Sequence, residues 1–435
     1  MPTPSLILVP ARFKTGKLYT PVATTSGGLV LGASGDFNVT RATTATRVNA
    51  SGFIESVASG IPRLDYYTSG GTAGCPALLV EPQAQNTCLQ SETFQSWSFT
   101  NASGSSGNVG ASPSNTQTAG LFIPNSGTTG RGEVACGTLS NATTYSFSCF
   151  IKTPTNSLTS VWLYISDGGA GTGTNRWGVE INLSNFTLTD YTAGNGSVTS
   201  KAVENYGNGW YRVRVTGQVT SGMSGSSVAV VRKLTAGADT NGVNGVLVFG
   251  AQVETGSVAT SYIPTTAAPV TRNADVITLS GAVSGCIGQS EGTIYAEVDS
   301  RNQQTARIVS FQIAGTAGSG QVRIDTVGAS LRCRVINASG TTVYDQTASP
   351  AMSVGINKVA FAFNSAASGI VIALNGSIIN TGTASASTVH NATQLTIGAQ
   401  DSIAGFGSFY NDRIRSAALY TTRLTNAELA ALTTP

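Results

Sequence analysis

Between residues 86 and 268 apolar and polar positions alternate with the two-residue period that sends successive side chains to opposite faces of a strand. In Thr144-Tyr145-Ser146-Phe147-Ser148-Cys149-Phe150-Ile151, the residues Tyr145, Phe147, Cys149 and Ile151 share one side, with Ser146 and Ser148 on the other. Residues 161–165, 178–183, 210–215, 228–231 and 246–249 read as further strands, separated by Gly, Asn and Ser loops at sandwich spacing. About eight strands over this length suit a jelly roll. A second series begins beyond Ala267-Ala268-Pro269, with strands predicted at 292–298, 306–311, 322–324, 331–335, 357–363, 369–374 and 394–397. Within it Asn375-Gly376 is a two-residue hairpin signal. Thr425-Asn426-Ala427-Glu428 is a capping box leading into Leu429 to Leu432, so a short helix closes the chain.

Residues 1–85 follow no such rhythm. Pro2, Pro4 and Pro10 break up short apolar segments, and the stretch has too little strand to bury a core of its own. It is expected to wrap around a partner or around copies of itself, as an attachment segment. The fold expectation is therefore all-β: an irregular N-terminal anchor (1–85), a jelly roll (86–268), and a second antiparallel β-sandwich (276–435) with its terminal helix.

Composition sharpens this picture. Only 10% of the residues are charged, against a usual figure of about 25%, so polar surface must come from Ser, Thr, Asn, Gln and Gly. A net charge of +3 without a basic run excludes a nucleic-acid partner. No apolar run approaches the ~20 residues of a membrane span, so no membrane insertion is expected. The opening residues carry no secretory pattern, which places folding in a cytoplasm. Six cysteines occur without CxxC pairs, which disfavours zinc. They are expected to be buried free thiols, with a Cys136–Cys149 bridge as the alternative.

The phrases FNVTRATTATRVNASGFIE (37–55) and CPALLVEPQ (75–83), with Arg63-Leu64-Asp65-Tyr66 between them, form one group of signals. GAQVETGSVATSYIPT (250–265) and Val270-Thr271-Arg272-Asn273-Ala274-Asp275 form another. Both resemble the phrases that bracket a jelly roll in bacteriophage head-spike, head-fibre and tail-fibre proteins. Residues 89–94 with Trp97, 207–213 and 250–254 are similar to strands of the carbohydrate-module-like jelly roll of such proteins. Residues 409–415, 418–420 and 423–432 resemble a laminin-G or concanavalin-like sandwich.

The resemblance implies a structural fibre or spike protein of a phage virion, assembled in the host cytoplasm. It would be homotrimeric, anchored to other virion proteins of capsid or tail, and able to adhere weakly to host-surface glycans. A receptor-binding tail fibre with specific glycan recognition is the alternative, and a polysaccharide depolymerase a more distant one.

Catalytic chemistry is not expected. His390 is the sole histidine, and no nucleophile elbow accompanies it. Glu297 and Asp299 project to one face of a strand, as paired acids do in glucanases, but Ser300, Arg301 and Asn302 follow where a third acid would stand. No cofactor or metal site is expected. Structural calcium is the one option left open, through the loop acids Asp167, Asp190, Asp239, Asp401 and Asp412, which show no ligand spacing. Glycan stacking is assigned to Trp177, beside the loop at 169–176, and to Tyr191.

Overall fold

The computed structural model describes residues 2–435 apart from 21, 24–28, 31–35, 69–73, 104, 155–156, 169–172, 224, 281–284, 303, 317 and 403–404. Among the described residues it is an all-β structure of antiparallel sheets with one short α-helix. Two sandwiches stand side by side.

The first is the jelly roll. One six-stranded sheet runs, in order, Ser98–Thr100, Gly130–Ala135, Val228–Lys233, Ser160–Ser166, Arg176–Asn182, Leu188–Ala193. The facing sheet runs Ser106–Gly110, Ala119–Phe122, Val246–Thr255, Tyr145–Lys152, Trp210–Val219, Gly196–Gly207. Phe147, Cys149 and Ile151 point between the sheets, where they meet Leu163, Ile165, Val213, Val215 and Val253. The alternation legible in the sequence is thus the inward face of a central strand.

The second sandwich departs from the expected organisation. Its core contains Ile294, Val298, Val309, Phe311, Ile324, Val359 and Phe361, but also Leu6, Leu8, Leu18, Phe37, Val39, Leu64, Leu78 and Val80. Leu6–Leu8 and Ala77–Val80 lie end to end along one edge of Asp412–Tyr420, with Leu6 opposite Leu419 and Leu78 opposite Ile414. Phe37–Thr40 pairs with Val276–Ser280. The N-terminal residues do wrap around something, and it is the chain's own C-terminal sandwich. The physical reason is the one that made them look irregular: strands this short bury their apolar side chains only by completing sheets built elsewhere.

The helix Asn426–Thr433 carries the expected capping box between Thr425 and Glu428. It lays Leu429 on a sheet face made of Ala360, Ala362, Ala373 and Ala418, whose small side chains let it approach closely. At the other side of the molecule the hairpin Ala45–Val48/Ile54–Val57 covers the outer face of the jelly roll, packing Val48 and Ile54 with Tyr67 against Phe150, Tyr206, Trp210 and Phe249. Residues 1–85 therefore touch both sandwiches, and they set how the two are joined.

Candidate functional site

The two bracketing groups of phrases, far apart in sequence, meet in one buried cluster of charge. Arg63 is fully enclosed. Its Nη1 donates to Glu81 Oε2 and Ser261 Oγ, both at 2.7 Å, and its Nε and Nη2 take both oxygens of Asp275. Arg41 donates to Asp275 Oδ1 at 2.9 Å and to the Ala58 carbonyl at 2.6 Å. Arg272 lies 3.4 Å from Glu81 and donates to the Pro82 carbonyl at 2.8 Å. Glu81 accepts from the Ser261 N–H at 2.7 Å. Three guanidinium groups thus hold two carboxylates out of water. Burial opposes each charge, but Arg63 and Arg272 outweigh it at Glu81 and keep that carboxyl well below its usual range.

The GAQVET phrase explains itself here as well. Gln252 and Glu254 fold the following turn back on itself, accepting from the Ile263 N–H at 2.6 Å and the Thr260 N–H at 2.9 Å respectively. Gly250 has φ +67°, and a Cβ there would stand 3.0 Å from Tyr262 and 3.1 Å from Phe150, so only glycine fits.

A second set of pairs extends the junction to the surface. Arg413 donates to Asp65 at 2.7 Å, and the Arg301 and Arg413 guanidinium groups both contact the Tyr67 ring, at 3.9 and 4.9 Å. Asp412 accepts from the Arg301 N–H at 2.6 Å and the Asn302 N–H at 3.2 Å, and burial pushes its carboxyl up to about 7. The cavity it shares with Tyr206 and Arg212 measures about 40 Å³, room for water and not for a sugar.

Beside this junction an open trough runs between the sandwiches. It consists of two volumes of about 530 and 410 Å³ that share Ala202, Arg214, Arg301 and Val354. Hydroxyls of Thr199, Ser200 and Ser257 line one part, while Glu204, Asp299 and Arg415 line others. Val354 and Ile356, exposed 73% and 53%, form an apolar lip. Arg214 donates to Asn302 at 2.8 Å and pairs with Glu204 at 3.3 Å, whereas Arg301 pairs with Asp299.

Of the residues singled out in the sequence, Asp299 lines the trough and Asp412 the junction, whereas the two aromatic residues lie elsewhere. Trp177 is 1% exposed and sits in the inter-sheet core with Val179 and Ile181, so no sugar can reach its face. Residues 169–172 of the adjoining loop lie outside the described residues. Tyr191 is half-buried on the opposite face of the same sheet, edge-on to Tyr164 at 5.1 Å and 5.6 Å from the Arg176 guanidinium. The stacking platform assigned to these two does not exist, because register sends their rings to opposite sides: Trp177 faces Thr192, while Tyr191 faces Gly178.

Glu297 pairs with Arg415 at 2.9 Å. The five aspartates expected in loops are not brought together, and two of them, Asp190 and Asp412, stand in strands. Asp167 accepts from Asn175, Asp190 from Lys201, Asp239 from Lys233, Asp401 from the Gly315 N–H, and Asp412 as above. Among the described residues no group of three potential metal ligands forms. Five cysteines are buried free thiols, and burial pushes Cys149 up to about 12, while Cys75 is exposed.

His390 is wholly buried on Phe363. Its Nδ1 accepts from the Ala392 N–H at 3.1 Å, which leaves Nε2 to donate to the Gly288 carbonyl at 3.2 Å, and burial lowers its pKa to about 4. A depressed histidine pKa gives stability that is complete above the unfolded value near 6.5 and lost as pH falls toward 4, about 3 kcal/mol in all. His390→Asn should remove that component. The difference in unfolding free energy between wild type and variant is expected to shrink across this window, and NMR titration of this one imidazole reads the pKa directly. A midpoint at 6 or above would refute it.

No family model and no curated protein matches the chain. Among solved structures it is similar to the CBM40 module of a Ruminococcus gnavus sialidase bound to α2,3-sialyllactose, at 16% identity over 34% of this chain and 84% of that one, TM-score 0.30. It is similar to domain 4 of an extracellular arabinanase from Geobacillus stearothermophilus in complex with arabinotriose, at 12% identity over 40% and 82%, TM-score 0.27. It is also similar to domains LG4-5 of the mouse laminin α1 chain, at 13% identity over 66% and 85%, TM-score 0.23. Likeness at this level decides nothing about the site, which rests on its own geometry.

Proposed function

We propose that this chain is a non-enzymatic fibre or spike protein of a bacteriophage particle that holds two β-sandwiches in fixed relation and adheres to host-surface saccharides through the trough between them. The observation that carries the reading is the convergence of the fibre-like phrases on one buried junction. Arg41, Arg63 and Glu81 from one group, with Ser261, Arg272 and Asp275 from the other, fix the angle of the sandwiches and so create the trough. Anchoring to capsid or tail falls to the surface left on the N-terminal residues, where Val9 and Phe13 are exposed. A homotrimer is the assembly expected for such an appendage, and size-exclusion chromatography with light scattering on the isolated protein tests it, a monomer overturning it.

The trough offers what weak saccharide binding needs: hydroxyls and charged groups for hydrogen bonds, and an apolar lip for a sugar's C–H face. Many copies on one particle convert weak single contacts into firm attachment. Its carboxylates support binding more than hydrolysis. Glu204 and Asp299 each face a guanidinium, and Arg214 with Arg212 holds Glu204 below its usual range in spite of burial. A general acid requires the reverse.

Electron microscopy of particles labelled with an antibody to this chain tests the placement, and labelling away from any appendage would sink it. For adhesion, a glycan array should give hits that Ala202→Trp removes by filling the trough, whereas Tyr191→Ala leaves them intact. Release of reducing sugar from host capsule, lost on Glu297→Gln, would instead establish a depolymerase.

A further inference from the structure

We infer that the hairpin at residues 12–18 is a docking surface for a different protein, one that presents carboxylates around an apolar socket. The inference rests on the anchoring reading above and specifies the chemistry of the surface that receives the N-terminal residues. Residues 1–35 contain Arg12, Lys14 and Lys17 and no Asp or Glu. Setting these three aside leaves 21 of the 24 Lys and Arg, equal in number to the 21 Asp and Glu. The whole net charge of +3 therefore resides on this hairpin.

The fold keeps that charge in water. Phe13–Lys14 pairs with Lys17–Leu18, which pairs in turn with Phe37–Thr40. Phe13–Lys14 is thus the last strand of a nine-stranded sheet, and among the described residues no strand lies beyond it. Arg12, Phe13 and Lys14 are exposed, and so is Val9. Lys14 stands 5.7 Å from the Tyr19 ring, and Lys17 donates to the Asn38 amide oxygen at 2.7 Å. Among the described residues none of the three cations pairs with a carboxylate, and Asp36, the first acid of the chain, accepts from the Thr20 N–H. Lys201, Arg214, Arg301 and Arg415 in the trough, by contrast, each face an acid.

The hairpin is also held in place from within. Leu18 is buried in the core of the second sandwich. The Tyr19 N–H donates to the Arg12 carbonyl and the Gly16 N–H to the Gly60 carbonyl, both at 2.9 Å. The Val39 N–H donates to the Gly16 carbonyl at 3.0 Å. A partner meets a preformed surface, and little entropy is lost in ordering it.

The cations set the sign of the partner, and the exposed apolar side chains set its class. Val9 and Phe13 gain by leaving water for an apolar socket, which a polyphosphate or an anionic polysaccharide lacks. A second copy of this chain fits poorly, because its solvent-facing carboxylates Glu55, Asp190 and Asp345 already face Arg47, Lys201 and Arg332. A protein pocket rimmed with Asp or Glu meets both demands.

The test is zero-length carbodiimide coupling on intact particles, which joins an amine to a carboxylate in contact with it, followed by peptide mass spectrometry. Lys14 or Lys17 should be found joined to Asp or Glu of another virion protein. Lys14→Glu should lower the number of copies per particle roughly tenfold through like-charge repulsion, and Phe13→Asp should do the same. Arg47→Met, which removes a surface cation already paired with Glu55, should leave the copy number unchanged. Phe13 and Lys14 face solvent, and near-ultraviolet circular dichroism of the purified variants verifies that the fold is kept.

Wild-type copy number in both hairpin variants, on particles that carry the chain as an appendage, would overturn this inference and leave the anchoring reading standing. Loss of copies with no coupling at Lys14 or Lys17 would overturn it as well, and so would coupling of either lysine to another copy of this chain. Binding of the purified chain to phosphatidylglycerol vesicles, abolished by both substitutions, would assign the hairpin to a lipid surface instead. Antibody labelling away from any appendage would remove the anchoring reading, and this inference with it.

Discussion

Arg63→Met is expected to destabilise the protein by about 3–5 kcal/mol and to separate one unfolding transition into two. The side chain is wholly enclosed and satisfies Asp275, Glu81, Ser261 and the Thr46 carbonyl together. Removing it leaves two buried carboxylates facing Arg41 and Arg272, neither of which reaches both in hydrogen-bonding geometry. The cost is the desolvation of those uncompensated charges, far more than the loss of one attraction.

The same group of phrases contains its own control. Arg47 pairs with Glu55 at 2.8 Å on a hairpin where both side chains meet water, and Arg47→Met should cost no more than about 1 kcal/mol. Urea unfolding followed by tryptophan fluorescence and by far-ultraviolet circular dichroism reads both effects. With the junction intact the sandwiches should unfold together, because residues 1–85 and the Arg63 cluster bind each to the other. If Arg63→Met shifted stability no more than Arg47→Met, the junction would not be what fixes the two sandwiches.

Strand positions were legible because period-two alternation is a local property. Residues 144–151 and 161–165 read as strands in sequence, and the fold has strands at Tyr145–Lys152 and Ser160–Ser166. The capping box at Thr425 and the hairpin at Asn375-Gly376 are likewise short-range chemistry. What escaped the sequence was pairing over distance. Nothing near Leu6 announces that it will lie beside Leu419. The trough draws Tyr67, Ala202, Arg214, Arg301 and Val354 from five separate segments, so no window of sequence contains it. The phrases themselves were visible as signals but not their purpose. Arg41 and Glu81 stand without a charged neighbour within four positions, whereas Arg63 has Asp65 nearby and Arg272 has Asp275, so charge spacing alone did not mark the cluster.

Trp177→Ala should cost about 3–5 kcal/mol, which distinguishes a core residue from a binding one. The signal for this was present in the sequence: Trp177, Val179 and Ile181 alternate with Arg176, Glu180 and Asn182, which places the indole on the inward face of its strand. The indole packs against the facing sheet at Gly217. A Cβ on Gly217 would come within 2.6 Å of its ring, so backbone and ring touch with nothing between them. Such a site collapses poorly when the ring is removed, and the residual cavity adds to the lost transfer energy.

Trp177→Phe should cost clearly less, since the indole N–H has no partner among the described residues and its loss leaves nothing unsatisfied. Thermal unfolding should rank wild type, Phe and Ala in that order of falling stability. Any loss of glycan adhesion in the alanine variant should follow the unfolded fraction and disappear on cooling. Adhesion lost by a variant with wild-type stability would mean that the ring meets ligand after all. The geometry forbids that: a ring sealed between two sheets has no face left to offer.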